Sequence, residues 1–164
     1  MPFQISKEEI LETINMVQSQ KLDIRTITMG INLLDCRADS GEKTGRQVYD
    51  KITRMAGKLV KVGEEIQRDY GIPIINKRIS VTPVAMLVNG LSEDEIFTIA
   101  LELDRAATEI GVNFLGGFSA LVHKGYTDGD YRLIQAIPRV LAETERVCSS
   151  VNLGTTKSGI NMDA

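Results

Sequence analysis

The chain has 164 residues, 43% hydrophobic and 25% charged, the make-up of one ordinary globular domain that can bury a core and is neither disordered nor fibrous. Its net charge of −3 and pI near 5.3, with no window gathering five basic residues, exclude the footprint of a nucleic-acid binder and favour small-molecule partners. No apolar run reaches the roughly 20 residues that span a bilayer, and the opening MPFQISKEEI has neither region of a signal peptide, so the expected location is the cytoplasm, with no membrane partner.

In chain order, Ser6 and Glu9 have capping-box spacing before an amphipathic helix through Ile10, Leu11, Ile14 and Val17, expected to cover a sheet edge or barrel bottom. From Ile24 to Leu34, Ile27, Met29, Ile31 and Leu33 alternate with Thr26, Thr28, Gly30 and Asn32, the period of a strand. Val48, Ile52, Met55, Leu59, Val62 and Ile66 then mark one long amphipathic helix ending near Gly71. Ile72 to Thr82 reads as a second strand, and Ser92 to Ile110 as a helix stopped by Gly111. Val112 to Val122 is a third strand. A helix follows over about Asp130 to Glu145, which Pro138 should kink or delay, and Val147 to Gly154 is the fourth strand. Strands joined by helices of this length imply crossover connections and a mostly parallel sheet in an α/β fold, a single domain over 1–164.

The second face of each strand separates the possible architectures. A sheet covered on both sides has near-continuous apolar strands. Here the second faces read Thr26, Thr28, Gly30, Asn32; Asn76, Arg78, Ser80, Thr82; Asn113, Leu115, Gly117, Ser119 opposite Phe114 and Phe118; and Cys148, Ser150, Asn152, Gly154. Lys77 is a misfit on the apolar side. Burying an unpaired polar group costs about 1–3 kcal/mol, so a face this polar must meet water, a ligand or a hydrogen-bond network. The pattern predicts helices on one face only, around a polar barrel lumen or, alternatively, in an open two-layer α/β sandwich.

The segments DIRTITMGINLLDC, INKRISVTPV, IGVNFLGGFSALVHKGY and VCSSVNLGTTKSGINM together resemble the uncharacterised PFL family of prokaryotic proteins, over nearly the whole chain. The resemblance implies a ten-stranded α/β barrel related in fold to pyruvate formate-lyase and other glycyl-radical enzymes, of which this chain would form the N-terminal portion, roughly a third. Those enzymes carry their radical glycine in an Arg-Val-x-Gly-Tyr setting. His123-Lys124-Gly125-Tyr126 lacks the Arg-Val and reads as a turn after the third strand, so radical activity is not expected. For the cysteine such enzymes hold near the barrel centre, Cys148 is the one candidate, against its reading as a small buried cysteine.

Other motifs resolve into simpler chemistry. Cys36 and Cys148 fall at opposite ends of a parallel sheet, roughly 20 Å apart at about 3.3 Å per residue, too far for a disulfide. With one histidine, a four-ligand Cys/His zinc site lacks a ligand, so neither metal nor cofactor is expected. Gly154-Thr155-Thr156-Lys157-Ser158-Gly159 fails the phosphate-loop spacing and leaves either a weak anion-binding loop or a hydroxyl-capped turn. Ser40-Gly41-Glu42-Lys43 reads as a helix cap, and Gly116-Gly117 as a bulge or a close approach. The expected ligand-binding residues are Asn76, Arg78, Ser80, Ser119, Ser150, Asn152 and Lys157. Their ligand would be a small polar or anionic metabolite, with or without catalysis. The rival is a non-catalytic regulatory or assembly module whose polar face is wet or meets a subunit. Unpaired edge strands favour a homo-oligomer.

Overall fold

The strand periods become a four-stranded parallel sheet with the strands in sequence order. The computed structural model describes residues 6–20 and 23–164. Helix α1 (Lys7–Ile14) continues as a π-helical turn to Ser19 and leads to β1 (Ile24–Ile31). Helices α2 (Gly41–Ala56) and α3 (Leu59–Tyr70) precede β2 (Ile74–Val81), α4 (Glu93–Ile110) precedes β3 (Phe114–Leu121), and α5 (Asp128–Glu143) precedes β4 (Val147–Asn152). A short hairpin, β5 (Gly154–Thr155) with β6 (Gly159–Ile160), follows. The hydrogen-bonded order is β1-β2-β3-β4, every pair parallel.

Hydroxyl side chains start α1, α2, α4 and α5. Ser6, Ser40, Ser92 and Thr127 each accept from the backbone N–H three residues on, and Glu9, Glu95 and Asp130 complete capping boxes. Glu95 does more than close its own box. Its Oε2 accepts from Ser92 N–H at 2.9 Å while its Oε1 accepts from Gly41 N–H at 3.1 Å, so one carboxylate caps α4 and α2 together. The two helices meet closely because Gly41 and Gly45 lie at the contact: a Cβ on Gly41 would fall 2.5 Å from Glu95 Cβ, and one on Gly45 3.0 Å from Glu102 Cγ. Fully buried Thr44, also in the first turn of α2, accepts from Ala38 N–H. Arg105 over the Tyr49 ring ties α2 to α4, and Arg139 over Phe97, with its 2.8 Å bond to Asp94, ties α5 to α4.

This helical layer presses on one side of the sheet. Val48, Ile52, Ile96, Ile99, Leu103, Leu133 and Val140 form one cluster with Ile31, Ile79, Val81, Leu115, Phe118 and Ala120. Among the described residues no helix covers the other side, where Thr28, Gly30, Ser80, Cys148, Ser150 and Asn152 are exposed. The expected one-sided α/β arrangement is present, and it fits the two-layer form.

Four expectations need correction. The long second helix is two, broken at Gly57-Lys58, and beyond Ile52 its apolar stripe turns outward, leaving Met55, Val62 and Ile66 exposed. Helix α3 keeps half-buried Leu59 and Val60 against the core and lays on the sheet Gly63, whose missing side chain makes room for Ile27 and the aliphatic stem of Lys77. Lys77, the misfit, donates from Nζ to Ile74 O at 3.1 Å. Helix α5 begins earlier, at Asp128, and runs on through Pro138, held by its capping box and by buried Leu133, Ala136 and Val140. In β3, the register slips between Gly116 and Phe118. Gly117 has φ of 123°, and a Cβ there would sit 2.5 Å from Val81 Cγ2, so glycine is required for both conformation and space. The bulge reverses the faces read for Phe114 and Leu115: Phe114 is exposed and Leu115 is in the core. Finally, α1 buries no residue, so it does not cover the sheet as expected.

Two consequences can be measured. Gly41→Ala drives a Cβ into Glu95 backbone and should cost about 2 kcal/mol, a fall in Tm of roughly 4–8 °C, whereas Gly30→Ala, with nothing within 4 Å, should be neutral or stabilising. The Glu95 carboxyl is held below its ordinary value of 4.5, first by Ser92 N–H, then by Gly41 N–H and the Ser92 hydroxyl. A depressed folded value means that its stabilisation is present above pH 4.5 and is lost as pH falls through the lowered value. Chemical denaturation of Glu95→Gln should show a smaller acid-induced loss below pH 4.5 than the parent chain; equal losses would remove Glu95 from the account.

Candidate functional site

Residues paired across a parallel sheet point to the same side, so the register lays out the bare face in rows about 4.8 Å apart from strand to strand. One row is Thr28, Arg78 and Phe114; the next is Gly30, Ser80, Gly116 and Cys148; past the bulge come Ser119 with Ser150, then Leu121 with Asn152. Neither Gly30 nor Gly116 would meet any atom within 4 Å if given a Cβ, so the floor between Arg78 and Cys148 is open to the backbone.

Arg78 is the one guanidinium in these rows. It stacks 5.1 Å from the Phe114 ring centroid, its Nε is buried without an acceptor, and no carboxylate among the described residues pairs with it. A guanidinium so placed keeps planar N–H donors for a carboxylate or phosphate.

The other expected residues divide. Ser80, Ser150 and Cys148 are exposed on the same face, and the exposure of Cys148 removes its reading as a buried cysteine. Asn76 shares the face but donates to Arg25 O at 3.1 Å, bracing β1 to β2. Ser119 is only 8% exposed and donates to Gly117 O, latching the bulge. Asn152 accepts from Gly154 N–H and opens the hairpin. Lys157 stands apart in that hairpin, whose turn is closed by the Thr155 and Ser158 hydroxyls at 2.6 Å, a hydroxyl-capped turn. The segment after β3 is likewise a turn, with Gly125 at φ 109°.

Sequence periodicity misses two features. Phe114 belongs to the bare face, a fact hidden by the bulge. At the C-terminal ends of β2 and β3, a cleft of about 390 Å³ is lined by Arg37, Asn89, Leu121, Thr127 and Asp130, with the Arg37 guanidinium donating to Asn89 O at 3.4 Å. Parallel sheets commonly place ligands beyond this end of their strands. The lining joins the end of β3 and the first turn of α5 to loop residues of three separate connections, a meeting that no single period announces.

Residues 15–164 match the family model described as Uncharacterised ACR (DUF711). The chain belongs to this family. Its relatives include UPF0210 proteins of Pelotomaculum thermopropionicum (62% identical over 161 residues), Thermoanaerobacter sp. strain X514 (61% over 158) and Listeria monocytogenes serovar 1/2a (59% over 156). These alignments cover 98%, 96% and 95% of this chain but 35% of each relative, so the chain spans about a third of the length of the family members it matches. The family is uncharacterised in function, and no helix among the described residues is long and apolar enough to cross a membrane.

The two thiols of this DUF711 chain differ in environment. Cys36 is buried, with Sγ 3.7 Å from Gln47 O, and burial first, then the Asp35 carboxylate, push its thiol up. Cys148 is exposed. A thiol-reactive dye should therefore label one cysteine quickly in the native chain and the second only on unfolding, and Cys148→Ser should abolish the fast phase. A fast phase that survives in Cys148→Ser would contradict the placement of Cys148 on an uncovered face.

Proposed function

We propose that the bare sheet face binds a small anionic compound through Arg78, and that the sheet is a segment of the wall of a larger α/β barrel whose lumen this face lines. The observation that carries the reading is the Arg78 guanidinium, set among exposed Ser80 and Cys148 and the open glycine floor with no carboxylate partner among the described residues. An arginine held on a sheet by an aromatic ring, with its donors left over, suits a carboxylate or phosphate.

The winding supports the barrel. Strands that follow one another in order, with their helices on one side, are wound as barrel walls are, whereas open doubly wound sheets reverse their strand order and take helices on both faces. The longer relatives have ample chain to supply further strands. Such a barrel agrees with the PFL-like fold that the sequence resembles. The reading assigns no reaction.

Thermal-shift screening of the chain, and of the longer Listeria relative, against carboxylates, phosphorylated metabolites and amino acids tests this. At least one anionic compound should raise Tm by several degrees. Arg78→Ala should abolish the shift, and Gly116→Ala, which fills the floor without touching any packed atom, should weaken it while leaving unliganded Tm intact. No stabilisation of either protein by any compound would overturn the reading and favour a non-catalytic surface.

A further inference from the structure

Among the described residues, no element covers Val62 and Ile66 on the apolar stripe that turns outward after Ile52. Val62 is 44% and Ile66 42% exposed on the flank of α3, in line with half-buried Leu59 and, at the far end, Tyr70. Beside that far end lies a groove of about 560 Å³ between α1 and the end of α3, with Ile10, Ile14 and Val17 as apolar lining and Glu12 and Asp69 among its acidic lining. Of the three acids that line it, Glu9 closes the capping box of α1 and Asp69 pairs with Arg68 at 3.4 Å, which leaves exposed Glu12 as the one whose carboxylate has no partner among the described residues. At the near end of the stripe stands exposed Lys58, which has no partner among the described residues.

We propose that this surface pairs with a second copy of the chain, α3 against α3, in a two-fold dimer. The apolar stripe ends in a cation and the groove holds an anion. Twelve residues of helix separate Lys58 from Tyr70, roughly 18 Å at 1.5 Å per residue, so one molecule cannot bring its own two ends together. A second molecule running antiparallel does so twice. With the two-fold axis midway between Val62 and Ile66, Val62 of each copy meets Ile66 of the other, and Lys58 of each copy falls at the other's Tyr70, at the mouth of the groove that holds Glu12. The contact is self-complementary, as a two-fold interface requires, and it lays an amphipathic helix against an apolar groove. It also gives α1, which buries nothing in its own chain, a packing partner.

Sedimentation equilibrium of the chain tests the proposal, with circular dichroism and Tm as controls for folding. The chain should be dimeric. Val62→Glu and Ile66→Glu, at exposed positions that leave the core untouched, should each weaken association at least roughly ten-fold without lowering Tm. Lys58→Glu should weaken it as well, and adding Glu12→Lys should restore it. A monomeric parent chain, an assembly that Val62→Glu leaves intact, or a charge swap that fails to restore association would overturn the proposal.

Discussion

The close crossing of α2 on α4 carries the helical layer. Gly41 and Gly45 remove the side chains that would hold the helices apart, and the Glu95 carboxylate then reaches the N-termini of both. Arginine stacking on Tyr49 and Phe97 extends the clamp outward to α5. Because the layer is knit together on one side, the sheet has a single apolar face to give it, and every buried residue of the strands in the core cluster belongs to that face. The opposite face is left to small and polar side chains, which lose nothing by meeting water.

That division separates the open face from the packing. Gly30→Ala on the bare face touches no packed atom, whereas Gly41→Ala at the α2–α4 contact runs into Glu95. Arg78 gives the face its one fixed charge in the rows around the glycine floor, and Phe114 holds that charge in place. The relatives it matches are nearly three times as long as this chain.

The element types, the parallel sheet and the uncovered face were legible in the sequence because each rests on a period: two for the strands, and three or four for the helices. What escaped had no period. Gly117 inserts one residue into β3 and exchanges the sides of Phe114 and Leu115, so a count carried through the bulge puts the stacking partner of Arg78 on the wrong face. The apolar stripe from Val48 to Ile66 keeps its spacing across Gly57-Lys58, yet the helix breaks there and Val62 and Ile66 turn outward. Lys77 looked misplaced because the glycine that accommodates it, Gly63, lies on another element. Among the site residues, Arg78, Ser80, Cys148 and Ser150 share the exposed face as alternation predicts. Asn76, Ser119 and Asn152 are tied into strand, bulge and hairpin by local hydrogen bonds that a face count does not register.

A crystal structure of a full-length relative, such as the Listeria protein, tests the central claim most directly. The account predicts that the row of Arg78 and Ser80 lines a polar cavity closed by further strands continuing the sheet beyond β1 or β4, with no helix laid across it. Helices packed over that face, with the arginine paired to one of their carboxylates, would contradict it.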